Sequence, residues 1–342
     1  MNATPATGPS SLSGPSSPAG GRYFLAIDGG NSKTDVVIGT DAGEVVAFVR
    51  GPGSSPHALG VTGAMDLLSS LVAQARVAAG FDADTVLYRA EVYLAGADLP
   101  AEVSTLTKAV GEAGWAREHL VDNDTFALLR AGTDAPDAVA VVCGAGTNCV
   151  GRTADGRHAR FPALGEISGD FGGGHHLARL ALWHAARGED GRGATTALST
   201  AVAAHFGRPT VEEVAIGLHF GEIEDERVPE LSRVLFTVAG TGDKVARAVV
   251  AQQADEVVAL ATVAAGRLGL LDAPFAVVLG GGVLRARHPL LLDAITAGLA
   301  DRAPYATISV VTDPPVLGAA LLALDAMGAD AAAHAALRAV IT

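Results

Sequence analysis

Residues 23–50 read YFLAIDGGNSKTDVVIGTDAGEVVAFVR, and this stretch decides the fold. An apolar run ends in Asp28, and the turn residues Gly29, Gly30, Asn31 and Ser32 follow. The run DVVIGT comes next, then a second turn at Asp41-Ala42-Gly43, then EVVAFVR. Three short β-rich runs joined by turn chemistry predict an antiparallel meander. The pattern restarts at residues 138–156, AVAVVCGAGTNCVGRTADG, again strand, glycine turn, strand and Asp/Gly turn. One unit laid twice along a chain predicts two similar lobes with a cleft between them.

The intervening segments fill out both lobes. Leu67, Leu68, Leu71 and Val72 share one face of a helix predicted over residues 63–79. A strand is expected over 91–97, a helix over 101–113 and a strand over 119–122. After the second meander come helices predicted over 173–187, 195–206 and 243–268. Strands follow from Ala276 and Ala306, then a helix from Val316. An Ala-rich last helix over 329–340 is expected to pack back on the first lobe. The domain reading is a disordered tail over 1–21, a first lobe of 22–122 plus about 329–342, and a second lobe of 123–328.

Composition narrows the function classes. A chain of 342 residues suits two α/β lobes, and 49% hydrophobic content supports real cores. The net charge of −13 argues against a nucleic-acid partner. The opening MNATPATGPSSLSGPSSPAGG has neither a basic start nor an apolar segment, so no signal peptide is expected. No apolar run is read as approaching the roughly 20 residues of a membrane span, so no membrane partner is expected. Two cysteines, Cys143 and Cys149, make no disulfide framework and fit a reducing, cytoplasmic compartment. A homodimer is compatible with all of this.

The chain has 42 glycines, well above the usual ~7%, so each glycine motif needs its structural context. Glycine turns bind phosphate by bringing backbone N–H groups close, since no Cβ keeps the anion away. There is no G-x-x-x-x-G-K-[ST], and strands rather than helices follow Gly29-Gly30 and Gly144-Ala145-Gly146. Each turn is therefore a hairpin tip. Two tips facing across a cleft, with a third cluster at Gly280-Gly281-Gly282, can grip a polyphosphate from both sides.

The ordered set IDGGNSKTD, LAGAD, VDNDT, CGAGTNC, SGDFGGG, VVLGGGV and VLGAALLAL resembles the BadF/BadG/BcrA/BcrD ATPase family, which includes N-acetylglucosamine kinases. The resemblance runs from about Arg22 to the C-terminus. It implies an α/β, two-lobed actin-like ATPase of duplicated ribonuclease H-like domains with an interdomain cleft. It also implies ATP and Mg²⁺ as cofactors and a small-molecule sugar as substrate. Asp28 is then similar to the acid that holds Mg²⁺. Gly29, Gly30, Asn31, Ser32, Lys33 and Thr34 would surround the β- and γ-phosphates. Gly144, Gly146, Thr147 and Asn148 would meet phosphates or sugar from the other lobe, while Gly281 and Gly282 lie against adenosine. Helices starting near Gly173 and Val316 would be interdomain connectors.

Phosphoryl transfer to a hydroxyl needs an acid to receive its proton. Asp124, at a strand-to-helix junction, is expected to be that base; the alternative is that it caps residues 125–130, with Asp122 as fallback. His57, Asn148, Gly165 and Asp170, with Asp124, are expected on the sugar. The chain departs from the family pattern at Ser55-Pro56-His57, Ala163-Leu164-Gly165 and Gly169–Gly173, all on the substrate side. The nucleotide loops follow it more faithfully. The expected activity is ATP-dependent phosphorylation of a sugar hydroxyl, on an amino sugar such as N-acetylglucosamine or glucosamine. Two alternatives stand beside it. One is an ATPase activator of an acyl-CoA reductase or dehydratase with a cysteine-held iron–sulfur cluster. The other is a non-catalytic nucleotide or sugar sensor. His175 and His176 point about 100° apart on a helix and are read as solvent-facing or near the connector, not as a shared metal site.

Overall fold

A computed structural model describes residues 21–341 of the protein. The predicted tail over 1–21 lies, Gly21 apart, outside the described residues. The first meander forms as β1 (Tyr23–Gly29), β2 (Lys33–Thr40) and β3 (Val45–Pro52). It is followed by α1 (Pro56–Ala78), β4 (Leu87–Leu94), α2 (Pro100–Ala113) and β5 (Ala116–Asn123). These strands make one sheet, ordered β3-β2-β1-β4-β5. Strand β1 is antiparallel to β2 and parallel to β4.

Helix α3 (Asp124–Gly132) leads into β6 (Ala138–Cys143), β7 (Thr147–Arg152) and β8 (His158–Arg160). A helical block follows: α4 (Gly173–Glu189), α5 (Leu198–His205), α6 (Val211–His219), α7 (Leu231–Gly240) and α8 (Lys244–Leu268). The chain closes with β9 (Phe275–Gly280), α9 (Gly282–Arg285), α10 (Pro289–Arg302), β10 (Ala306–Val310), α11 (Pro315–Met327) and α12 (Ala331–Val340). The second sheet, ordered β10-β9-β6-β7-β8, has β6 antiparallel to β7 and parallel to β9. Both sheets therefore repeat one ribonuclease H-like topology.

Strand periodicity explains how the halves join. Leu25 and Ile27 of β1 face one core, packed under α1 and α2, while Phe24 and Ala26 face another. In β6 the split is Val139 and Val141 against Ala138 and Ala140. Phe24, Ala26, Ala138 and Ala140 all meet in one core around α3 and α11. Those two helices are the joint between the sheets. A Cβ on Gly318 of α11 would lie 1.7 Å from the Ala127 carbonyl oxygen of α3, so the helices cross backbone to backbone there.

Helix α11 fits its expected connector role, but α4 does not: it packs on α5 and α7 within the second lobe, and α3 takes its place. Helix α1 begins at Pro56 rather than residue 63, because proline suits a first helical position. Gly60, at φ 69°, then kinks it. Helix α12 packs Ala333 and Leu337 into the shared core and lies on the first-lobe turn, where a Gly43 Cβ would come 2.0 Å from the Ala333 carbonyl oxygen. Helices α1 and α8, each with an 18-residue stretch of mean hydropathy 1.3, are long and apolar enough to cross a membrane by length and composition alone. That corrects the sequence reading of apolar runs. Here α8 supplies Val249, Val257, Ala261 and Ala265 to the second core.

Candidate active site

The first hairpin tip is pinned from three directions. Gly30 N–H donates to the Lys33 carbonyl at 2.9 Å, Ser54 N–H to the Gly30 carbonyl at 3.1 Å, and Ala95 N–H to the Gly29 carbonyl at 2.8 Å. Gly30, Asn31, Ser32 and Lys33 are left on a cavity wall. Gly29 and Thr34 are not. Thr34 is buried, its Oγ1 lying 2.8 Å from both the Pro52 carbonyl oxygen and Ser54 Oγ. A Cβ on Gly29 would sit 2.5 Å from Leu94 Cδ2 and Ser54 Oγ. Both residues hold the tip in place and are not on that wall, because alternation along β1 and β2 turns them inward.

The second tip closes with Gly144 N–H on the Gly146 carbonyl at 2.9 Å. Helix α4 presses on it: Gly174 N–H donates to the Gly144 carbonyl at 2.7 Å and His175 N–H to the Ala145 carbonyl at 3.0 Å. Two of the orphan donors that open a helix are thereby used to brace the turn. Gly281 braces it from the other side. At φ +85°, its added Cβ would meet the Cys143 carbonyl carbon at 2.4 Å. By contrast, a Cβ on Gly144 or Gly146 would meet nothing within 4 Å, so those two border open space. Gly281 lines the cavity, whereas Gly282 opens α9 and does not.

Two cavities meet between these tips. The larger, about 700 Å³, is bordered by Asp28, Lys33, Arg50, Gly281, Arg285 and Asp313. The smaller, about 220 Å³, is bordered by His57, Asp98, Asn123, Thr147 and Asn148. Asn31, Asp124, Thr125, Gly144 and Ala145 line both. Gly165 and Asp170 lie instead on a third cavity of about 580 Å³, with His175, His176 and Arg179. It adjoins the small one through Gly146, Thr147 and Ala163. Asp170 is engaged locally, accepting from Ser168 Oγ at 2.7 Å and Gly165 N–H at 3.0 Å.

Asp28 is next to last in β1 and is buried. Burial, helped by the Asp124 charge, raises its carboxyl to about 8, against the pull of Lys33. Lys33 and Arg50 share a second buried acid, Asp35; Arg50 Nη2 donates to it at 3.0 Å, and Lys33 Nζ also binds it. Burial opposes that charge, but the hydrogen bonds from Arg50 and Lys33 outweigh it and hold Asp35 below the usual carboxylate range.

Asp124 is the first residue of α3, yet it is not the cap. Asn123 is, its Oδ1 accepting Thr125 N–H at 3.0 Å. The Asp124 carboxyl is free of that duty, and burial raises it to about 6 against hydrogen bonds from Thr125. Asp122, the fallback, is held by Arg160 at 2.6 Å and is on neither cavity.

Asn148 lines the smaller cavity, but its amide is committed. Nδ2 donates to Asp98 Oδ1 at 3.1 Å and Asn123 Oδ1 at 3.3 Å. His57 Nε2 pairs with Glu102 Oε1 at 2.9 Å. The residue missed in the sequence is Asp98. Burial and the charges of Asp124 and Glu102 raise its carboxyl to about 7. The signal was present: Asp98 is an acid shortly after a strand, as Asp124 is directly after one and Asp28 is next to last in one. Cys143 and Cys149 are both fully buried in the second core, which removes the cluster-ligand reading.

Two duplicated lobes, a cleft lined by paired glycine hairpins and an acid at the end of each adjoining strand define a two-lobed ATPase of the actin-like class. The sequence model of the BadF/BadG/BcrA/BcrD ATPase family matches residues 25–323, and the chain belongs to that family. It is similar to an N-acetyl-D-glucosamine kinase of Dictyostelium discoideum, 24% identical over 88% of this chain and 98% of the relative. It is also similar to an N-acetylmuramic acid/N-acetylglucosamine kinase of Clostridium acetobutylicum, 24% identical over 77% of this chain and 86% of the relative. Among solved structures, a Chromobacterium violaceum protein provisionally described as an N-acetylglucosamine kinase shares the fold. Its TM-score is 0.67 at 21% identity, covering 88% of this chain and 98% of that one.

Proposed function

We propose that the protein transfers the γ-phosphoryl group of ATP to a hydroxyl of an amino sugar. The observation that carries this reading is that Asp124 borders both cavities. The larger suits a nucleotide: it has two glycine tips, and Lys33, Arg50 and Arg285 offset phosphate charge. The smaller has the size and polar walls for a sugar ring. A hydroxyl held beside Asp124 can attack toward the glycine tips and pass its proton to the carboxylate. The descriptions of the two curated relatives as amino-sugar kinases support the acceptor class. ADP and a sugar phosphate should form together when a panel of amino sugars and hexoses is offered with Mg-ATP. Sugar-independent ATP hydrolysis alone would overturn the reading and favour an activator ATPase.

Asp28 suits Mg²⁺, as a hard oxygen donor whose ionisation is opposed by burial and by Asp124 until a cation neutralises it. Bound there, Mg²⁺ would take charge from the β- and γ-phosphate oxygens. A stability consequence follows. With its folded value near 8 and an ordinary value of 3.8, Asp28 holds its proton more tightly in the fold. Its contribution is therefore full below about pH 4 and is lost as pH rises toward 8. Asp28→Asn should melt higher than wild type at pH 7.5 without metal, and Mg²⁺ should raise the melting temperature of wild type only. A lower melting temperature for the metal-free variant would contradict this.

The Asp124 value near 6 makes a second prediction. A base must be ionised to accept a proton, so kcat/KM should fall tenfold per pH unit below about 6 and level off above it. The limb should vanish in Asp124→Asn. A profile flat from pH 5 to 8 would exclude Asp124 as the titrating base.

A further inference from the structure

Charge is divided along the cleft. Lys33, Arg50 and Arg285 border the large cavity, but no lysine or arginine borders the small one among the described residues. Its charged walls are Asp98 and Asp124, with His57 as the one basic group. Behind them stands Glu102: Oε1 takes the His57 ring, while Oε2 accepts Asp98 N–H at 3.1 Å and Leu99 N–H at 2.9 Å. One ligating atom each from His57, Asp98 and Glu102 falls within a 4.8 Å span.

Within this wall Asp98, like Asp124, keeps acceptor capacity, and Asp98 is the one held by both lobes. Its Oδ1 accepts Asn123 Nδ2 at 2.8 Å and Asn148 Nδ2 at 3.1 Å. The first bond lies within one lobe and the second crosses to β7 of the other, so the carboxylate is fixed in place by both lobes. Its Oδ2 takes no hydrogen bond from the described residues. A fixed carboxylate oxygen on a cavity wall, in a field set by two more acids, attracts a cationic donor more than a neutral one. Ala95 and Gly96 beside it give an acetyl methyl little apolar surface to cover. Among the described residues, no guanidinium or ammonium of the protein lines the cavity to partner Asp98 instead.

Resting on the kinase reading above, we propose that Asp98 determines acceptor specificity by binding a protonated primary amine of the sugar. The protein then prefers a free amino sugar to its N-acetylated or hydroxyl counterpart. Acetylation would remove the charge and leave a neutral amide N–H, so a charge-assisted bond to Asp98 would be replaced by a weaker neutral one.

The test compares kcat/KM for glucosamine, N-acetylglucosamine and glucose, which differ at one carbon, in wild type, Asp98→Asn and Asp98→Glu. Wild type should favour glucosamine over both others by at least about tenfold. Asp98→Asn should lose most of that preference by lowering glucosamine turnover far more than glucose turnover, and Asp98→Glu should restore part of it. A wild type that prefers N-acetylglucosamine, or treats the three alike, overturns the inference while leaving the kinase reading standing. An Asp98→Asn variant that slows all three equally also overturns it, since Asp98 would then only position Asn148. Turnover of none of the three overturns the kinase reading and this inference together. The wild-type comparison decides the matter even if the variants fold poorly.

Discussion

Asp124→Asn should fold, bind ATP as wild type does, and lose at least a hundredfold in kcat. Loss of a general base typically costs about 10²–10⁴ in rate, or roughly 3–5 kcal/mol of barrier. The structure separates this from a structural effect, because the cap of α3 is Asn123 and stays in place. Asparagine also keeps the size of the side chain and the hydrogen bonds from Thr125. The carboxyl itself is disfavoured by burial, so stability at neutral pH should be equal or slightly higher in the variant. Steady-state kinetics beside a thermal melt give both numbers. Near-normal kcat would remove Asp124 from the chemistry, and Asp98, on the same cavity wall, would be the next acid to examine.

Gly318→Ala should be the most damaging single-methyl change in the joint between the lobes. In a helix interior this substitution normally gains about 1 kcal/mol of propensity. Here the new Cβ would lie 1.7 Å from the Ala127 carbonyl oxygen and 2.8 Å from Ala131 N, and neither is a flexible side-chain end. Helices α3 and α11 must separate, opening a core in which Phe126, Leu129, Val316 and Leu321 are packed. Overpacking of this kind typically costs about 1–3 kcal/mol and occasionally more. Because α3 carries Asp124, the shift should also lower kcat. Gly266→Ala in α8 is the control: its Cβ would make ordinary contact, 3.5 Å from Leu271 Cδ1, and should stabilise slightly. Equal melting temperatures for the two variants would refute the close crossing.

How far the site could be read along the chain depended on the kind of signal. Asp28, Asn31, Lys33 and Asp124 were singled out from the family resemblance together with their places at a strand end or hairpin tip, and those features are local. Thr34 was assigned to phosphate along with its neighbours, since a motif does not say which way alternate residues face. Its burial against Pro52 and Ser54 depends on β3 lying beside β2. The family resemblance implied that helix α4 is a connector. Its first amides instead brace the Gly144–Gly146 turn.

Asp98 shows the same division. Its type and place after a strand were legible, but its partners were not: Asn123 and Asn148 stand 25 and 50 residues further along. The sequence by itself determined the duplicated meander, the two hairpin tips and the acids that end their neighbouring strands. Hydrophobic alternation and turn residues act over a few positions, so their meaning survives without the fold. Only the tertiary structure decided which tip residues face the cavity, that α3 and α11 cross at Gly318, and that the lobes meet at Asp98 and Asn148. Those outcomes come from packing between segments far apart in the chain, where the nearest atom is set by how two sheets and two helices close on one another.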